Sequence, residues 1–132
     1  MNNTELTGKV HSAVYHQCQR RGYAAPVDVL MDIGVLTKAD YENCRRGKVP
    51  YLEKVCRTNL HKLSFIMKQI RVYARKSGYK ESFTVYKRWG KGKKSPLYFS
   101  KTRNPNIERN NATHYVDAER IAELKKTESE NE

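Results

Sequence analysis

From Leu52 to Ala74 apolar side chains return at every third or fourth position: Leu52, Cys56, Leu60, Leu63, Met67, Ile70 and Ala74. That spacing draws one stripe along a helix, and a stripe of this length has to be covered by other elements. Past Gly78 the repeat shortens to two. Phe83, Val85 and Trp89 alternate with Thr84, Tyr86 and Arg88, then Leu97 and Phe99 alternate with Tyr98 and Ser100. A switch from helical to strand period within 132 residues points to an α+β fold, with a helical N-terminal half followed by a β-hairpin.

The residues before Leu52 supply further helices. Thr7 is placed to cap a first helix carrying Val10, Val14, Tyr15 and Cys18, which ends at Gly22 with Arg20 and Arg21 in its last turn. Pro26 suits the first position of "PVDVLMDI", closed by Gly34, and Thr37 with Asp40 starts a third helix that runs to Gly47. Inside the striped segment a break is expected near Arg57 to Asn59. Lys68, Arg71 and Arg75 form a second stripe beside the apolar one, while Phe65 and Val72 lie on the side away from it.

In the hairpin, Phe83, Val85, Trp89, Leu97 and Phe99 are expected to cover the helices, leaving Tyr86, Arg88 and Tyr98 outward. "RNPNIERNN" reads as a loop and "THYV" as a third strand of the sheet. Asp117 caps a short C-terminal helix through Ile121 and Leu124. Residues 1–126 make one domain and 127–132 a flexible acidic tail.

Charge is uneven along this outline. Nineteen of the 26 Lys and Arg, against four of the 14 acids, fall between residues 37 and 103. The net charge of +12 therefore belongs to the middle of the chain. A field so concentrated favours a polyanion as partner, nucleic acid before an acidic protein. The candidate contacts are Lys87, Arg88, Lys91, Lys93 and Lys94 at the hairpin tip, Lys68, Arg71 and Arg75 on the helix, and Arg45, Arg46 and Lys48 after the third helix. Lysines at a hairpin edge also discourage strand pairing between molecules, but five cations exceed what that requires. Tyr86 and Tyr98 are read as sheet stabilisers rather than base-stacking platforms, and Trp89 as packed near the turn.

Helices followed by a hairpin with a basic tip resemble, in element order, a winged helix. That resemblance implies a groove-reading helix and a wing on the backbone, with duplex DNA ahead of RNA. The runs "PVDVLMDIGVLTKADYENCRRGKVPYLEKVC" and "WGKGKKSPLYFSK" are similar to small uncharacterised bacterial proteins, a resemblance that brings no activity and no site residues.

Catalytic chemistry has little to stand on. His11 and His16 are five apart, as are Cys56 and His61, which is neither one helical face nor a zinc spacing. There is no CxxC, no phosphate-binding glycine loop and no GxSxG. A metal-free nuclease working through His61 and His114 is the enzymatic reading left open. Cys18, Cys44 and Cys56, odd in number and dispersed, suit reduced thiols. The start "MNNTELTGKV" lacks a secretory pattern and no apolar run reaches bilayer length, so a cytoplasmic protein is expected. The expectation is a basic, non-enzymatic nucleic-acid-binding protein without metal or cofactor. Its rival is an interaction or inhibitor protein docking an acidic partner, or a homodimer, which exposed Phe65 and Val72 would favour.

Overall fold

Gly22 shows how the chain is tied together. The computed structural model describes residues 2–90 and 95–131. Helix α1 spans Asn3–Arg21 and stops at Gly22, whose φ of +85° is left-handed. Its amide donates to the Cys18 carbonyl at 2.8 Å, and its own carbonyl accepts from the Asp117 amide at 2.8 Å. One glycine thus ends the first helix and anchors the C-terminal region to it. α1 begins earlier than Thr7 because the Asn2 side chain already accepts from the Glu5 amide at 2.8 Å.

Strand β1 (Tyr23–Ala24) pairs antiparallel with β3 (Thr113–Val116), and β3 pairs on its other edge with β2 (Lys80–Phe83). The "THYV" segment is therefore the centre of a three-stranded sheet. Helices α2 (Pro26–Asp32) and α3 (Lys38–Arg45) follow β1, and Thr37 Oγ1 accepts from the Asp40 amide at 3.1 Å as its spacing implies.

The striped segment is broken where expected. A 3₁₀ turn at Leu52–Val55 leads into extended Cys56, and α4 (Leu60–Lys76) starts under Asn59, whose side chain accepts from the Lys62 amide at 2.8 Å. The break changes which residues face inward. Leu60, in the first turn of α4, is 61% exposed, while Ile66, outside the simple stripe, is fully buried. Leu63, Met67, Ile70 and Ala74 join Val10, Val14 and Cys18 of α1 and Leu30 of α2 in the core. Phe65 is half-buried against that core, and Val72 is exposed.

Three further expectations need correction. Among the described residues the hairpin is a short ribbon: Lys87 and Pro96 form an isolated bridge, flanked by Arg88 N–H to Ser95 O and Leu97 N–H to Tyr86 O, both at 2.9 Å. Its first limb faces the other way. Leu97 and Phe99 are buried, but Phe83, Val85 and Trp89 are 57%, 61% and 44% exposed, and Tyr86 turns inward. Strand parity is all or none, and here the inward parity gives Tyr86 both a polar partner and the Phe99 edge, with ring centroids 5.5 Å apart.

"RNPNIERNN" is no loop either. Helix α5 (Pro105–Ala112) occupies it, with Pro105 at the first position and Asn104 Oδ1 accepting from Asn106 and Ile107 amides at 2.9 and 3.3 Å. This polar helix is held by its Glu108 carboxylate, which accepts from the Phe99 and Ser100 amides at 2.8 and 2.9 Å and from the Ser100 hydroxyl at 3.1 Å. Helix α6 (Ala118–Asn131) follows β3, with Asp117 Oδ1 accepting from the Arg120 amide at 3.1 Å as its cap.

Candidate nucleic-acid interface

The C-terminal end of α3 meets the ribbon. The Trp89 amide donates to the Arg45 carbonyl, which fixes the ribbon's first limb against the last turn of the helix. Tyr41 and Arg45 are four residues apart on α3 and share one face. From there the Arg45 guanidinium carbon lies 5.0 Å from the Trp89 ring centroid, 5.4 Å from that of Tyr86 and 5.9 Å from that of Tyr41. These are cation–π distances, and they hold a long side chain in one place. Arg88 reaches back to the turn after α3. Gly47, at φ +78°, leaves room for it: a Cβ there would stand 3.4 Å from Arg88 Cδ.

Five of the cations singled out in the sequence are thereby gathered around one junction. Arg45, Arg46 and Lys48 come from the end of α3, and Lys87 and Arg88 from the ribbon. Arg46 points to Glu42 at 3.6 Å. Among the described residues, Arg45 and Arg88 pair with no carboxylate, and the Nε of each is buried without a hydrogen-bond partner. A cation at a helix C-terminus is stabilised by the helix dipole, which accounts for one such side chain. It does not account for Arg88, which comes from the ribbon, or for the closed-off Nε of either side chain. Lys91, Lys93 and Lys94 lie outside the described residues.

The α4 stripe is placed differently. Lys68 and Arg71 border an apolar cavity of about 480 Å³ lined by Leu52, Leu63, Met67 and Phe99, while Arg75 bonds Glu81 of β2 at 3.1 Å. No ion pair, hydrogen bond or cation–π contact among the described residues links this stripe to the junction.

Behind the junction lies a polar network whose members come from distant parts of the chain and carry no local signal of their meeting. Tyr86 Oη and His114 Nε2 are 2.9 Å apart, Tyr23 stacks on His114 at 5.3 Å, and the Arg21 guanidinium covers Tyr23 at 4.1 Å. Arg21 is itself paired with Asp28 at 2.7 Å and bonded to Gln17 Oε1 at 3.1 Å. Its members are satisfied by one another, which marks it as a support for Tyr86 and hence for Arg45. His61 is exposed on α4, on a different element from His114 in β3, and no contact among the described residues joins the two.

Burial, reinforced by the Arg21 charge and opposed by Asp28, holds the His114 imidazole below its usual range. The unfolded chain therefore takes up a proton at higher pH than the folded one. Stability contributed by neutral His114 is complete above the unfolded value and is lost as pH falls through the folded one. Thermal melts from pH 8 down to pH 5 should show a falling melting temperature, and His114→Gln should flatten that dependence. An unchanged pH profile in the variant would remove His114 from the account.

Burial pushes the thiols up, to about 11 for Cys18 and Cys44 and about 12 for Cys56, so none is a ready nucleophile. Among the described residues no group of three or more His, Cys, Asp or Glu converges, and no helix is long and apolar enough to cross a membrane. Compared with protein-family models, curated proteins and solved structures, the chain matches none.

Proposed function

We propose that the protein binds nucleic acid, duplex DNA first, through phosphate contacts made where α3 meets the ribbon. The observation that carries this reading is the pair Arg45 and Arg88: two positioned guanidinium groups with shielded Nε atoms and no carboxylate among the described residues. Arg46, Lys48 and Lys87 surround them, and the three tip lysines follow directly in sequence. α2, a turn through Gly34 and α3 follow one another as the two helices of a helix–turn–helix do, and the basic ribbon comes after α4 and β2. Phosphate contacts of this kind position a duplex without reading its sequence, so binding should be weakly selective.

Titrating a labelled duplex at several salt concentrations tests the reading. Four to six neutralised phosphates give a log–log salt slope of about −4 to −5. In the variant Lys91→Ala, Lys93→Ala, Lys94→Ala the slope should shrink by up to about three, with little change in the thermal melt. An unchanged slope would mean that the tip does not touch the ligand.

A second reading has its own observation. Phe83 and Val85, both exposed, line a groove of about 460 Å³ with Pro96, Tyr98 and Pro105, which favours an acidic protein with an apolar anchor. Saturable binding of such a partner, with no duplex binding at low salt, would decide for it.

A further inference from the structure

We infer that Arg45 and Arg88 form a seat for one particular phosphate, distinct from the diffuse attraction of the surrounding lysines. This deepens the nucleic-acid reading and rests on it, naming the chemical group the two arginines take. Four other arginines of the chain, Arg21, Arg46, Arg75 and Arg120, each face a carboxylate within 4 Å, with separations of 2.7, 3.6, 3.1 and 2.8 Å. Among the described residues Arg45 and Arg88 face none, although both are partly buried and both have an Nε closed off from solvent. A guanidinium that has given up water on one side without gaining an acceptor is costly in the unliganded protein.

Both side chains are also fixed in advance. Arg45 stands among the rings of Tyr41, Tyr86 and Trp89, and Tyr86 is in turn held by His114. Arg88 lies over Gly47, its Cδ in van der Waals reach of the place a Cβ would take. Their main chains are joined by the Trp89 N–H to Arg45 carbonyl bond. The last turn of α3 does not absorb them as caps. The Arg46, Gly47 and Lys48 amides already bond the carbonyls of Glu42, Cys44 and Asn43 at 2.9, 3.1 and 2.9 Å. A carboxylate satisfies a single guanidinium fork with its two oxygens. A tetrahedral phosphate has oxygens for donors from both side chains, whose main chains the Trp89–Arg45 bond holds together, and the pair therefore points to phosphate.

Lysine in place of either arginine keeps the charge but loses the fork, so geometry can be separated from charge. We expect Arg45→Lys and Arg88→Lys each to weaken duplex binding about tenfold with the salt slope unchanged, and Arg20→Lys, exposed on α1 and outside the interface, to change it less than about twofold. If wild type binds the duplex but all three variants bind alike, the seat is wrong and only diffuse attraction remains. If wild type binds no duplex, the nucleic-acid reading fails first. Inorganic phosphate titrated against the fluorescence of Trp89, the sole tryptophan, then judges the seat alone. A response absent from both Arg45→Lys and Arg88→Lys keeps it as an anion site, and no response in wild type overturns it. A thermal melt on each variant separates lost binding from lost fold, and the two positions serve as independent probes.

Discussion

A chain carrying both Arg45→Met and Arg88→Met should bind duplex DNA about a hundredfold more weakly than wild type while melting at the same temperature or higher. Methionine keeps an unbranched apolar stem for the rings of Tyr41, Tyr86 and Trp89 to pack on, and removes only the charged fork. Each charge-assisted contact to a phosphate is worth about 1.5–3 kcal/mol, so losing two costs binding at least about a hundredfold. Stability moves the other way because each guanidinium carries a shielded Nε with no partner among the described residues, and such an atom costs about 1–3 kcal/mol. Offsetting this, the cation–π contacts of Arg45 contribute about 0.5–1 kcal/mol each. Opposite signs in the two assays mark residues kept for function rather than for folding. A large fall in melting temperature, with binding reduced only in proportion to the unfolded fraction, would show that the arginines are structural.

The second large effect belongs to the fold. Gly22→Ala should destabilise the protein by about 2–4 kcal/mol, a fall in melting temperature of roughly 10 °C. A side chain at Gly22 faces two penalties. The backbone is left-handed there, at φ +85°, and the added Cβ would run into the Ile121 side chain of α6. Gly34→Ala isolates the first penalty, since Gly34 has φ +83° but open space around it, and should cost only about 1–2 kcal/mol. Equal losses in the two variants would mean that α6 yields freely and that its docking on Gly22 contributes little.

How much of this was legible in the sequence depended on where each signal resides. Helix ends were readable because caps act locally: Gly22, Pro26, Thr37 and the break before Leu60 stand where their chemistry places them. α5 carried its signal too, an Asn–Pro start, but with little apolar content its helix depends on Glu108 reaching the distant Phe99 and Ser100 amides. Ribbon parity was not legible at all. Alternation of Phe83, Val85 and Trp89 against Tyr86 and Arg88 fits either face, and His114, distant in sequence, decides it by bonding Tyr86.

The same division holds for the candidate interface. The distribution of charge along the sequence located the cations. That Arg45 and Arg88 have no carboxylate partner among the described residues, while Arg75 has Glu81, is tertiary information, visible only once β2 lies beside α4 and the ribbon beside α3.

Amide hydrogen exchange of the protein with and without a short duplex at low salt tests the central claim most directly, because it locates the contact. The account predicts slowed exchange at Glu42–Lys48 and at Tyr86–Trp89, with the exposed side of α4 around Lys68–Arg75 unchanged. Protection centred on α4, or confined to Phe83 and Val85 with none at the end of α3, would contradict it.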